Sequence, residues 1–388
     1  MDLRLFWLAL GTFAVGTGAF VIASLLPALS ADLEVAVSQG GMLVLAFAVA
    51  YAVGTPILSA LTGGFTRRPV LVVAMAIYGL ANVASGLAPS YEVLMATRVI
   101  MAAASGLYAA TAQGTAVLLS TPQTRTRAIA VIVGGTTLSV ALGAPIGAII
   151  ANVMDWRAAL ITIGLVSLAV ALALQVMLPD NLDGTKLSLR SRLLVVTRPG
   201  IGRALLVSVF ILAGAFAVYT YVAVLAGEIG MGQTLVPVLL LAFGAGAFVG
   251  NYLCGILADK FGAARTVRWV IVVTTVIMLA FPLEAYLLPA GVAGWALIAT
   301  MALWGVVGWG FPPAQGSHIV SLAPEAAPLT LALNASAIYL GVALGSGLGG
   351  AYLTIGSVKD LGIIAAILGI VSLAIHLTGR ARPVVAAA

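Results

Sequence analysis

Residues 201–226 read IGRALLVSVFILAGAFAVYTYVAVLA, and from Ala204 to Gly227 no position carries a charge. A hydrocarbon core of roughly 30 Å takes about 20 apolar residues as a helix, so this run is long enough to cross one. Lipid offers backbone N–H and C=O groups no partner, which restricts such a run to a helix or a closed barrel. Polar and apolar positions do not alternate here as they do in a barrel strand, so the run is a helix. The same pattern recurs along the chain: 6–29, 39–62, 70–89, 92–119, 128–151 and 157–179 before it, and 234–258, 267–288, 294–320, 329–352 and 361–379 after it. The expectation is an all-α membrane protein with twelve transmembrane helices.

Composition agrees. Hydrophobic residues make up 62% of the chain and charged residues 8%, against about 45–50% and 25% in a soluble domain. A water-soluble fold is excluded. The single cysteine, Cys254, falls inside a span, cannot form an intrachain disulfide and is read as packing. The first span is too long for a signal-peptide core and has no small-residue cleavage site before Pro27, so it is expected to stay as helix one.

Lys and Arg set the expected orientation. With the N-terminus inside, one face collects Arg4, Arg67, Arg68, Arg125, Arg127, Lys186, Arg190, Arg192, Arg198, Arg203, Lys260, Arg265, Arg268, Arg380 and Arg382. The other face receives Arg157 and Lys359 with Asp32, Glu34, Glu92, Asp155, Glu228, Glu284 and Asp360. Both termini are therefore expected in the cytoplasm. The net charge of +6 is spread over short loops on one face, which is topology and no sign of nucleic-acid binding.

The longest polar interval, 180–200, lies near mid-chain and separates two sets of six spans. Aligning Leu45-Ala46-Phe47 with Leu241-Ala242-Phe243 also brings Val53-Gly54 onto Val249-Gly250, Leu61 onto Leu257 and Phe65 onto Phe261. Aligning Ala141-Leu142-Gly143 with Ala343-Leu344-Gly345 brings Gly147 onto Gly349. The chain thus reads as a duplication: residues 1–179 as an N-terminal six-helix bundle, 180–200 as a cytoplasmic linker and 201–388 as a C-terminal bundle. Duplicated halves of this kind hold substrate near the midplane and rock to open alternately on each side.

Between the eighth and ninth spans stands Gly255-Ile256-Leu257-Ala258-Asp259-Lys260-Phe261-Gly262-Ala263-Ala264-Arg265. It resembles the loop motif of the major facilitator superfamily, a Gly-x-Leu-Ala-Asp-Arg-x-Gly pattern ending in a basic residue, and the resemblance extends over essentially the whole chain. It implies two pseudo-symmetric six-helix bundles and a gating role for Gly255, Asp259, Gly262 and Arg265. The first-half loop reads Ser59-Ala60-Leu61-Thr62-Gly63-Gly64-Phe65-Thr66-Arg67-Arg68, with Gly63 at the place matching Asp259. Arg67 and Arg68 there fit a gating role and simple topology equally well.

Gly134-Gly135 and Gly143-Ala144-Pro145-Ile146-Gly147 in helix five resemble the motif of the exporter branch. Proline in a membrane helix frees a carbonyl and permits a bend, and glycines allow close packing. Arg98, within Thr97-Arg98-Val99-Ile100 and followed by Gly106, matches the helix-four motif of the drug exporters. An intramembrane charge is by default a functional candidate, although an arginine can also snorkel to the surface. Trp156-Arg157, Asn334 and the stretch Gly11–Phe20 with Leu25-Leu26-Pro27 resemble drug-proton antiporters, in particular a subfamily exporting sugars, purine nucleosides or chloramphenicol.

The resemblance implies that helices one, four, seven and ten line the cavity. They offer Phe13, Thr17, Phe20, Ser105, Tyr108, Phe216, Tyr219, Thr220, Trp304 and Trp309, and helices two, five, eight and eleven add Tyr51, Thr136, Asn251 and Asn334. Such a surface is aromatic and weakly polar and suits a neutral or lipophilic small molecule. The family implies exchange for protons and a monomer. Buried acids at mid-depth are scarce, since Glu228 and Glu284 lie near helix ends and His318 near the inner end of helix ten, so a facilitator driven only by its substrate gradient is the rival reading. An enzyme would need a nucleophile with its base or a metal cluster, and the two histidines, His318 and His376, are far apart in sequence. No cofactor, metal or phosphate-binding loop is expected. Compact loops and the lack of a transit peptide favour a bacterial plasma membrane.

One expectation is tested by topology alone. Reporter tags fused at either chain end should both be reached only from the cytoplasmic side in intact cells, and tags reached from opposite sides would refute the even number of crossings.

Overall fold

The computed structural model describes residues 2–121, 123–184 and 195–378. Residues 185–194 of the 180–200 linker, with Lys186, Arg190 and Arg192, lie outside the described residues, as do Arg380 and Arg382. Twelve helices are long and apolar enough to cross a membrane: α1 Leu3–Phe20, α2 Val37–Leu61, α3 Arg67–Gly86, α4 Tyr91–Leu118, α5 Arg127–Val153, α6 Trp156–Met177, α7 Ile201–Tyr219, α8 Gln233–Phe261, α9 Ala263–Leu287, α10 Ala290–Leu322, α11 Leu329–Tyr352 and α12 Val358–Leu377. No strand occurs among the described residues.

Three spans, the first, seventh and tenth, are interrupted where the sequence reading has them continuous. The first and seventh are interrupted at Val21 and at Thr220–Tyr221, so that Ile22–Asp32 and Val222–Glu228 form short separate helices. In the first case Val21 O accepts from both Ser24 N at 3.0 Å and Leu25 N at 3.2 Å, a locally tightened turn. In the second, Tyr221 N bonds Val218 O at 3.1 Å in a tighter turn, and the buried ring donates from its hydroxyl to Ser346 O at 2.8 Å. The bend expected at Pro145 is a widened turn over Ser139–Gly143, closed by a bond from Ala144 N to Ser139 O. In α10 the interruption after Gly308 precedes Pro312 and Pro313, neither of which can donate to the ladder.

Helix packing repeats across the two halves. In the first half α1 packs on α5 and α6, α2 on α4, and α3 on α4 and α6. In the second, α7 packs on α11 and α12, α8 on α10, and α9 on α10 and α12. Each pair of the second set is a pair of the first moved on by six helices, so the two bundles are pseudo-symmetric. Side chains turned away from both bundles are apolar, among them Trp295, Leu172 and Val176, as a lipid-facing wall requires.

Close approach is achieved with glycine. On α8, a Cβ at Gly250 would overlap the backbone carbonyl of Val306 on α10. Gly262 alone joins α8 to α9 at φ 88°, a conformation that strains any residue with a side chain.

Replacing Gly250 by Ala is therefore expected to cost about 1–3 kcal/mol through overpacking, read as a lower midpoint when the purified protein is heated and its monodisperse fraction followed. Gly255→Ala is the control. Nothing lies within 4 Å of a Cβ there, and the substitution should be neutral or favour the helix by about 0.5–1 kcal/mol.

Candidate substrate site

The helices run between a near end, which carries Leu3 and Leu377, and a far end. All the close contacts between the two bundles described here lie at the far end or in the middle. On the α2–α11 side a Cβ at Gly350 would stand 3.1 Å from Ser38 O and one at Gly347 2.6 Å from Leu45 Cδ1, while one at Gly41 would overlap the Tyr221 hydroxyl. On the α5–α8 side Gly244 meets the backbone at Val140 and Ala141, and Asn152 Nδ2 donates to Gln233 O at 3.1 Å. Lower on α2, Val53, Ile57 and Leu61 are exposed. The bundles are sealed at the far end and apart at the near end.

Below this seal lies a cage of aromatic rings. Phe20, from the N-terminal bundle, sits 5.5 Å from Trp309, 6.0 Å from Tyr219 and 6.1 Å from Phe216, centroid to centroid. Phe243 closes the other side, 4.9 Å from Trp304 and 5.3 Å from Tyr219. With Ile211, Leu212, Ala215, Thr274, Gly308 and Phe311 these rings enclose a small cavity of about 30 Å³. A larger guest must part the rings. No charged side chain lines the cage.

Of the residues singled out from the sequence, Phe20, Phe216, Tyr219, Trp304 and Trp309 meet in this cage. Others are engaged in holding helices together. Tyr108 is fully buried and donates to Leu8 O at 3.1 Å, and Ser105 donates to Ala102 O at 2.8 Å. Thr17 donates to Phe13 O at 2.8 Å. Asn334 accepts from Ser208 at 2.7 Å, and Gln315 donates to the same serine at 3.1 Å. Tyr51 stacks on Tyr339 across the bundle seam at 3.6 Å. Thr220 is buried at the far-end interruption of α7 with its hydroxyl unpartnered, Phe13 and Asn251 are half-buried and Thr136 is exposed.

Arg98 does not reach the surface. It is 0% exposed, with Nη1 donating to Gly18 O at 3.0 Å and the guanidinium 4.4 Å from the centre of the Phe47 ring. Its Nε and Nη2 find no partner, and Asn82 Oδ1 is likewise buried and unpartnered. Among the described residues no carboxylate pairs with Arg98.

The remaining gating candidates divide by location. Gly143 and Gly147 on α5 press against Thr17 and Val21, with Pro145 buried between them. At the near end Arg68 pairs with Asp180, and Arg67 N donates to Leu182 O at 2.8 Å, so the start of the linker lies on the α2–α3 loop. Gly63 is buried there beneath Gly184. Asp259 is exposed and has no ion pair among the described residues. Arg265 borders an apolar cleft of about 650 Å³ between α8 and α9, walled by Leu257, Phe261 and Trp269 among others. At the far end Trp156 Nε1 donates to Asp32 at 3.3 Å and Arg157 pairs with the same carboxylate, holding its pKa below the usual range chiefly through the Arg157 hydrogen bond.

Sequence reading missed Phe243, Phe311, Thr274, Phe47 and Tyr339. Phe243 and Phe47 are the matched pair of the internal repeat, and taking the repeat as a guide to which aromatics face inward would have found both.

Comparison with known proteins agrees with this arrangement. The model of the Major Facilitator Superfamily matches residues 8–327. The inner membrane transport protein YdhP of Escherichia coli (strain K12) is 30% identical over 381 residues, 97% of this chain and 96% of that one. The chloramphenicol resistance protein of Streptomyces lividans is 32% identical over 265 residues, 67% of this chain and 68% of that one. A solved bacterial homolog of the human lysosomal transporter Spinster, in an inward-facing and occupied conformation, superposes with a TM-score of 0.73 at 17% identity, covering 98% of both chains, a likeness of fold. With a family model spanning most of its length and twelve helices fit to cross a bilayer, this chain belongs to the Major Facilitator Superfamily and is a multi-pass plasma-membrane transport protein, not an enzyme.

Proposed function

We propose that the protein exports a small neutral or lipophilic molecule by alternating access, as a monomer and in exchange for protons. The observation that carries the reading is the uncharged aromatic cage, built by the C-terminal bundle and closed by Phe20 of the other. A guest held there touches both bundles and so responds to their relative motion. The chloramphenicol resistance relative supports efflux. On the Lys/Arg distribution the near end is cytoplasmic, the sealed far end is external, and the bundles divide at 1–179 and 201–388 around the 180–200 linker.

In this reading, opening outward separates Tyr51 from Tyr339 and withdraws Tyr221 from Gly41, while α2 and α8 close on α11 and α5 at the near end. Arg98 lies beside that seam. When Tyr339 leaves with its bundle, water reaches a cation that the closed state holds with one carbonyl and one ring face, so the charge of Arg98 biases the equilibrium between the two states. Glu284 supports a protonation step, since Thr300 donates to its Oε1 while its Oε2 is buried without a partner. No carboxylate or histidine lines the cage itself, and that favours the second reading, a facilitator of a sugar or nucleoside-like solute without proton coupling.

Proteoliposomes with an imposed pH gradient and a panel of nucleosides, sugars and chloramphenicol-like drugs decide between them. At least one member should be taken up several-fold faster with the gradient than without it, and uptake indifferent to the gradient would leave the facilitator. Arg98→Ala at unchanged expression should slow transport about tenfold or more, on the scale of a lost charged hydrogen bond, with Arg98→Lys retaining part of the rate. Full activity in Arg98→Ala would make the residue merely structural.

A further inference from the structure

Two hydroxyls that line the cage depart from the pattern of most buried hydroxyls around them, a departure shared by Thr220, which follows Tyr219 in the chain but does not line the cage. The Thr274 and Tyr219 side chains line it, are 2% and 3% exposed, and have no hydrogen-bond partner. Threonines inside these helices normally return their hydroxyl to the backbone four residues back. Thr275 does so to Ile271 O at 2.7 Å, Thr115 to Thr111 O and Thr55 to Tyr51 O. Thr274 has the same opportunity and does not take it. The other fully buried tyrosine hydroxyls of Tyr78, Tyr108 and Tyr221 each donate to a backbone carbonyl on another helix, whereas Tyr219 donates to none.

Burying a hydroxyl without a partner gives up its bonds to water for nothing, so native structures rarely tolerate one, and two around one space call for a ligand. We propose that Tyr219 and Thr274 are the polar contacts of the cage, and that its ligand is an uncharged aromatic molecule presenting a hydroxyl or carbonyl group between them. The class follows from the lining. Rings of Phe20, Phe216, Phe243 and Trp304 offer faces and edges to an aromatic guest. No lysine, arginine, aspartate or glutamate lines the site, so an ionised guest would lose its hydration uncompensated. A hydroxyl both donates and accepts, so each residue can meet either kind of polar group. The inference deepens the proposed function and rests on the cage being the substrate site.

The test uses the full-length protein in lipid nanodiscs and two probes of the same ring, 4-nitrobenzyl alcohol and 4-nitrotoluene, which differ by one hydroxyl. Saturable quenching of tryptophan fluorescence, measured against protein-free nanodiscs, gives both dissociation constants. The preference for the alcohol, taken as the ratio of the two constants, should fall about five- to tenfold in Thr274→Val, the scale of one lost buried hydrogen bond. Thr274→Ser should keep the ratio, and Tyr219→Phe should lower it. Should Thr274→Val not give monodisperse protein, Tyr219→Phe carries the same comparison. An unchanged ratio in the valine and phenylalanine variants, with both probes still bound, overturns the assignment of the two hydroxyls and leaves the cage as substrate site. Absence of saturable binding of either probe to the wild type overturns the cage itself and the inference with it.

Discussion

The arrangement hinges on backbone-distance contact between two helix bundles, found among the described residues at the far end and in the middle of the helices. Helices in lipid gain nothing from hydrophobic association, because the acyl chains are as apolar as leucine, and they adhere through close packing and a few polar contacts. Gly41, Gly347 and Gly350 on the α2–α11 side and Gly244 on the α5–α8 side provide that closeness. Each such contact is individually weak and short in range. A seam made of them can close tightly and still come apart, which a seam of buried ion pairs would resist. While it is shut, Phe20 meets Trp309 and Tyr51 stacks on Tyr339 across it.

Polar chemistry within the membrane is handled in two ways. Most hydroxyls are spent locally, as with Ser167 to Ile163 O and Ser346 to Val342 O, and these leave no trace beyond a satisfied donor. The ion pairs Asp32–Arg157, Arg68–Asp180 and Arg198–Glu325 sit at the helix ends with exposed partners. Exposed pairs of this kind contribute about 0–1 kcal/mol, so they tie ends and loops and do not hold the bundles together. Arg98 follows neither pattern, for it is buried, charged and satisfied at one nitrogen. The cost of holding such a group inside the membrane is the ground for proposing that Arg98 acts in the exchange between states.

The twelve helices could be read from the sequence because the bilayer imposes one length and one polarity on every crossing, and spans such as 329–352 coincide with the helix found there. The interruptions at Val21 and Tyr221 could not, since an unbroken apolar run says nothing about where a helix changes direction. The same limit applies to the cavity. The family resemblance assigns Ser105, Tyr108 and Asn334 to cavity-lining helices, and all three are buried, but knowing which helices line a cavity cannot distinguish a face turned to the central space from one turned to a neighbouring helix. Tyr108 fills the notch at Gly11, and Asn334 completes a knot with Ser208 and Gln315. Aromatic side chains were better guides than small polar ones, because a membrane helix can satisfy a hydroxyl on its own backbone but needs a partner surface for a large ring.

The two halves share a packing plan but not a chemistry. Phe47 and Phe243 occupy matched places in the repeat, yet Phe47 lies under a guanidinium and Phe243 lies among Tyr219, Trp304 and Trp309. Helix α4 carries Arg98 in its buried stretch, whereas its counterpart α10 carries no Lys, Arg, Asp or Glu along its length. The fully buried Arg98 thus belongs to one bundle and the aromatic cage almost wholly to the other, joined by Phe20 and by the Tyr51–Tyr339 stack. A symmetric device would respond equally to a guest on either side of its axis. On the proposed function, a guest that parts Phe20 from Trp309 would work against the N-terminal bundle from within the C-terminal one, beside the seam where Arg98 lies.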